Sequence, residues 1–293
     1  MIKVWNLLSI VRINPFFWIV LAIGLLTGYF REAILLFFIV FIHELGHATA
    51  ALHFKWKLRK IELLPFGGVA EVEESGNKPI KEELIVILSG PIQHLWMIGL
   101  SFLLVQTNSW SSYWHELFVW HNLVILCFNL LPILPLDGGK LVQLWFMERW
   151  SYKKAHLASI ISSVSVLIIV ALCTLILPFH LNMILVLLFL VINNYLEWKQ
   201  RHYRFMRFLT ERNHLPNKED KPLVLFVPSD IPVREAVRLL RRGYRHEFRF
   251  ENDKQQVSES TVLQALFDRK LTEPLHAIPT IPPRINSIQV KVQ

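Results

Sequence analysis

The chain has 293 residues, of which 53% are hydrophobic, and its mean hydropathy of +0.38 argues against an ordinary soluble domain and for an integral membrane protein. The net charge of +8 is read as basic flanks of membrane spans facing anionic lipid, so the expected partner is the bilayer and not a nucleic acid. Two cysteines, Cys127 and Cys173, both within apolar runs, provide neither a disulfide framework nor zinc-finger spacing.

Six segments are expected to span the membrane: residues 13–30, 33–52, 84–105, 117–136, 157–177 and 181–198, the last two split by Pro178. The first apolar run lacks a small-residue cleavage site and is expected to be a retained span. Lysines and arginines collect before the first span (Lys3, Arg12) and after the second (Lys55, Lys57, Arg59, Lys60). They collect again after the fourth (Lys140, Arg149, Lys153, Lys154) and the sixth (Lys199, Arg201, Arg204, Arg207), while the alternate loops are poor in them. That alternation predicts both termini in the cytoplasm. Between spans two and three, residues 59–74 alternate in polarity around Gly67-Gly68. They suit either a β-hairpin at the membrane surface or an ordinary loop.

The second span contains His43-Glu44-Leu45-Gly46-His47. Positions i and i+4 share one helix face, so both imidazoles can reach one metal, with Glu44 beside a metal-bound water. Two histidines and a carboxylate inside an apolar span are costly unless they serve a purpose. Zinc needs a third protein ligand and an open position. The only aspartate before residue 220 is Asp137, in Asn129-Leu-Leu-Pro132-Ile-Leu-Pro135-Leu-Asp137-Gly138-Gly139. The two prolines prevent regular helix there, and the glycines permit unusual dihedrals just after. An acid on such a break can approach the histidines of the second span; it can equally cap the helix that follows. His94, His115, His121, His156 and His180 have no partner at metal-ligand spacing and are expected to be interfacial or packing residues.

The two motifs together, His-Glu-Leu-Gly-His in one span and Asn-x-x-Pro-x-x-Pro-x-Asp-Gly at the end of a later one, resemble those of the site-2 protease family of intramembrane zinc metalloproteases. The resemblance covers residues 33–146. It implies one zinc per chain held by His43, His47 and Asp137, with Glu44 as catalytic acid/base. It further implies that Asn129, Gly67, Gly68 and Pro135 contact substrate, the two glycines within a membrane-associated β-element. The overall plan is similar to the members that process a sigma-factor precursor during endospore formation. That similarity implies such a substrate, inhibitory membrane proteins as partners, and a place in the membrane surrounding the forespore. The rival readings are a membrane-anchored zincin with a cytoplasmic site and a metal or proton transporter using the His/Glu/Asp cluster as a relay. The first conflicts with apolar sequence on both sides of the motif. The second lacks an internal repeat.

The expected architecture is a polytopic α-helical membrane protein of about six spans (residues 1–198) with a membrane-associated β-element. A basic linker follows (199–221), marked at its end by Asn217 to Pro222, and then a small α/β cytoplasmic domain (222–293). Residues 223–227 suggest a strand, 232–242 a helix, 247–251 and 256–257 short strands, and 261–268 a helix. This β-α-β-β-α order resembles a single CBS domain, which implies a homo-oligomer through the tail and ATP as a regulatory ligand.

Overall fold

Proline at the first position of a helix costs nothing, because that N–H has no intrahelical partner, and the first helix begins in this way. The computed structural model describes residues 11–13, 15–56, 58–64, 67–72, 77–176, 181–214, 221–250 and 256–278. The expected break at Pro178 and the linker boundary from Asn217 to Asp220 lie outside them. Strand β1 (Val11–Ile13) is followed by α1 (Pro15–Thr27) and α2 (Phe30–His53). Strands β2 (Leu58–Leu64) and β3 (Gly67–Val72) form an antiparallel hairpin, with β1 parallel to β2, giving the order β1-β2-β3. Gly67 and Gly68 pair with Leu64 and Leu63, and the hairpin lies against α2.

The helices that follow are α3 (Ile80–Gln106), α4 (Ser112–Asn129), α5 (Asp137–Arg149), α6 (Tyr152–Thr174) and α7 (Leu181–His214). Among the described residues α2, α3 and α6 are long and apolar enough to cross a membrane by length and composition. The expected fourth span, 117–136, is cut short. Its helix ends at Asn129, and residues 130–136 run as turns through Pro132 and Pro135, the Leu134–Pro135 peptide being cis. The apolar run Leu130–Leu136 looks like a span end, but its prolines lack the N–H that a helix needs. Conversely, α7 continues through the expected boundary at residue 198 for another sixteen residues without interruption. A change from apolar to basic side chains alters what a helix faces, not whether its backbone bonds propagate.

The chain divides into two compact units, residues 1–146 with 156–201, and residues 147–155 with 202–293. In the first, α2 packs against α3 and α4 around Ile39, Met97 and Phe118. A second apolar cluster of Ile133, Leu136, Leu167 and Leu190 surrounds the proline-broken segment.

The second unit carries β4 (Lys221–Val227), a single helical turn α8 (Val233–Ala236) running into a 3-10 turn, β5 (Tyr244–Phe250), β6 (Gln256–Ser258) and α9 (Glu259–Phe267). β4 is parallel to β5, and β5 antiparallel to β6. The helix expected over 232–242 is therefore much shorter, ending before Leu240 turns extended. α9 starts at Ser258, whose hydroxyl accepts from the Thr261 N–H as an N-cap. A buried ion cluster ties the unit together. Arg212, near the end of α7, donates to both Glu259 carboxylate oxygens and to the Tyr244 carbonyl. His246 donates to Glu259 Oε2 at 2.8 Å from both its backbone N–H and its Nδ1, while its Nε2 accepts from the Arg241 N–H at 3.0 Å. Burial alone would raise the Glu259 pKa; the His246 hydrogen bonds and the Arg212 charge outweigh it and hold the carboxyl below its ordinary value.

Candidate active site

His43 and His47 sit one turn apart on α2, and their Nε2 atoms lie 3.1 Å from each other. Asp137, the first residue of α5, brings Oδ2 to 3.2 Å from His43 Nε2 and 3.1 Å from His47 Nε2. All three side chains are buried, as is Glu44, whose carboxylate shares the cluster with the two imidazoles within 4.8 Å. The second Asp137 oxygen, Oδ1, accepts from Lys140 Nζ at 3.2 Å.

The outer nitrogens of the imidazoles determine what the inner ones offer. His47 Nδ1 donates to the Val86 carbonyl at 2.8 Å, which leaves Nε2 of the neutral ring as a lone pair. His43 is held by a longer chain. Asn122 donates its Nδ2 to the Phe118 carbonyl, so its Oδ1 is the atom facing His94 Nδ1 at 2.9 Å. His94 therefore donates from Nδ1 and accepts at Nε2, 3.1 Å from His43 Nδ1. His43 in turn must carry its proton on Nδ1 and present a lone pair at Nε2. Two nitrogen lone pairs and a carboxylate oxygen thus face one point, and Asp137 Oδ2 has no hydrogen-bond donor among the described residues.

Three buried acceptors in contact repel one another unless a cation lies between them. Neighbouring ligand atoms of tetrahedral zinc, at about 2.0–2.2 Å from the ion, are about 3.3–3.6 Å apart. The triangle of 3.1–3.2 Å is within a few tenths of an ångström of that spacing, and two imidazoles with one carboxylate are a zinc donor set. The residues fit the metal.

Close backbone approach completes the site. A Cβ on Gly90 of α3 would lie 2.2 Å from His47 Nε2 and 2.9 Å from His43 Cε1, so only glycine leaves the space that the imidazoles occupy. Gly138 and Gly139 work in the same way. Cβ atoms there would come within 2.1 Å of the Leu130 carbonyl oxygen and 2.5 Å of the Ile133 carbonyl. Neither glycine adopts positive φ, so they serve contact with the broken segment and not the unusual dihedrals expected from sequence.

Of the residues expected to touch substrate, Asn129 donates its Nδ2 to Ile125 of its own helix at 3.1 Å, and no bond joins it to the histidine cluster among the described residues. Gly67 and Gly68 open β3, and Pro135 lies in the broken segment two residues before Asp137. Sequence reasoning missed Gly90, His94 and Asn122, and took His94 for an interfacial or packing residue. A signal was present: Val86, Gly90 and His94 recur at four-residue spacing, on one face of α3.

Comparison with known proteins places the chain in a family. The model of peptidase family M50 matches residues 31–111 and 104–172. Stage IV sporulation protein FB of Bacillus subtilis (strain 168) is 39% identical over 272 residues, 91% of this chain and 94% of that protein. Zinc metalloprotease MJ0392 of Methanocaldococcus jannaschii is 32% identical over 148 residues, 48% of this chain and 39% of that protein. The solved site-2 protease from Methanocaldococcus jannaschii superposes with a TM-score of 0.52 at 26% identity, covering 64% of this chain and 89% of that one. With near-complete coverage of one relative at 39% identity, the chain belongs to peptidase family M50, the site-2 proteases, which are intramembrane zinc metalloproteases.

Proposed function

We propose that His43, His47 and Asp137 hold the zinc of this protease, that Glu44 is its acid/base, and that the enzyme cuts a membrane-associated protein. The observation that carries this reading is the triangle of three buried acceptors, Nε2, Nε2 and Oδ2, each 3.1–3.2 Å from the others. When bound, zinc supplies Lewis acidity, lowering the pKa of water toward neutrality and polarising the scissile carbonyl. Glu44 takes a proton from the attacking water and delivers it to the leaving amine. Lys140 donates to Oδ1 of Asp137 and so would leave Oδ2 as the oxygen that holds the metal.

A peptide bond in a helix is shielded by its own hydrogen bonds, so the substrate must be extended before attack. Among the described residues strand β3 is an edge of its sheet, and it lies against the helix that carries the histidines. Pairing substrate with that edge, near Gly67 and Gly68, would satisfy the extended backbone. Pro135 and Asn129 would line the other side of the segment.

The name of the Bacillus subtilis relative ties that protein to sporulation. On that likeness a sigma-factor precursor is the proposed substrate, and inhibitory membrane proteins are proposed partners. Six spans with both termini cytoplasmic, and a CBS-like tail over residues 222–293 that dimerises and binds ATP, complete the proposal. Equilibrium dialysis of the full chain against ATP tests the last element.

Glu44→Gln keeps the shape of the site and removes its base. In proteoliposomes with a candidate membrane substrate, cleavage should fall by roughly 10^2- to 10^4-fold while zinc stays bound. Unimpaired cleavage would overturn the mechanism.

A further inference from the structure

The broken segment that delivers Asp137 has a backbone problem. Pro132 and Pro135 carry no N–H, and the residues between them lie outside any helix. An apolar bundle provides no water for the polar groups left over, and a group left unsatisfied there is costly.

Two polar side chains from later helices meet this need at one residue. The Leu134 N–H donates to Ser163 Oγ of α6 at 2.8 Å. Ser163 Oγ donates to Asn194 Oδ1 of α7 at 2.6 Å. Asn194 Nδ2 closes the ring by donating to the Leu134 carbonyl at 2.8 Å, with a further bond to Leu190 of its own helix at 2.9 Å. Both side chains are buried, and the apolar cluster of Ile133, Leu136, Leu167 and Leu190 occupies the same region. A serine and an asparagine in such surroundings are costly unless a specific bond repays them, and the ring uses both polar groups of Leu134.

We infer that Ser163 and Asn194 are positioning residues for the metal: by clamping Leu134 from two helices they fix the segment that sets Asp137 Oδ2 opposite the histidines. The inference rests on the reading of Asp137 as a zinc ligand. Asn194 lies beyond residue 172, where the match to the family model ends, so the clamp draws on a helix outside the matched region. The opposite side of the same segment is held by the contact of Gly138 and Gly139 with Leu130 and Ile133. Neither Ser163 nor Asn194 need touch substrate or metal.

The test uses full-length, zinc-loaded protein in detergent micelles, with release of the metal to a competing chelator as the readout. Partners that orient a ligand typically change metal affinity by about 10- to 100-fold. Ser163→Ala and Asn194→Ala should each release zinc at least about tenfold faster, and the double variant no faster than the worse single one, because either change opens the same ring. With cobalt in place of zinc, the visible absorption bands should shift in both, as Asp137 moves off its position. Asn193→Ala is the control: among the described residues Asn193 bonds to Phe189 of its own helix, and its loss should leave release and spectrum unchanged. Where Asn194→Ala does not fold, Ser163→Ala provides the readout alone. Asp137→Ala separates the two layers of argument. If it keeps tight zinc, the ligand assignment fails. If it loses zinc while Ser163→Ala and Asn194→Ala release it at the parent rate, the clamp alone is wrong.

Discussion

Both units of the molecule bury a carboxylate beside histidine, one against His246 and the other against His43 and His47, and they balance it in opposite ways. Around Glu259 every interaction runs from donor to acceptor: Arg212, the His246 N–H and His246 Nδ1 all point hydrogens at the carboxylate. Around Asp137 the histidines turn lone pairs inward, because Val86 and His94 have taken their protons on the outer side. The first cluster is complete in itself and holds a small domain together. The second has a surplus of acceptors, which the proposed zinc ion would resolve. Whether the donors are used up locally or turned away separates a structural ion cluster from the proposed metal site built of the same residue types.

Breaking the balanced cluster should have the largest effect. Glu259→Gln leaves Arg212 buried and uncompensated, a change that typically costs about 3–5 kcal/mol. Limited proteolysis of the full chain should cut the tail much faster, while zinc content is unchanged. The same carboxylate makes the tail acid-sensitive. Its folded pKa lies below its ordinary value of 4.5, so its contribution is complete above that pH and is lost as pH falls through the folded value. The parent tail should loosen below about pH 4.5, and the Glu259→Gln tail should show a much weaker dependence there.

The metal side of the comparison breaks by steric intrusion. Gly90→Ala drives a methyl group into the His47 ring position, and overpacking of this kind costs about 1–3 kcal/mol. Zinc stoichiometry and cleavage should both fall, with tail proteolysis unaltered. His94→Leu asks a finer question, since it removes the acceptor that keeps the His43 proton outward. Zinc affinity should drop by about 10- to 100-fold, measured by chelator competition. A drop no larger than that of Leu95→Ala, an exposed neighbour, would remove His94 from the site.

The parts of this site legible in sequence are those encoded locally. The spacing of His43 and His47 is a helical period, and it survives into the structure because α2 is regular there. Asp137 was legible through a motif, and the prolines beside it correctly implied broken backbone. The parts that were illegible depend on contacts between segments distant in sequence: His43 with His94 is separated by 51 positions, and Leu134 with Asn194 by 60. The recurrence of Val86, Gly90 and His94 marks a face of α3, but no local pattern names the partner that the face or Asn194 meets. The overlong fourth span and the overlong tail helix have a different cause. Hydropathy reports what surrounds a segment, whereas proline chemistry and turn geometry decide where its helix ends.

The surplus of acceptors at Asp137 has a consequence in mass action. On the proposed ligand assignment, zinc would bind the folded state in preference to the unfolded chain. Free metal then adds stability logarithmically, by about 1.4 kcal/mol for each tenfold rise above the dissociation constant. The melting temperature of the membrane unit should therefore climb steadily with buffered free zinc, and Asp137→Ala should flatten the climb. The amount of working protease would then follow the zinc available when the chain folds.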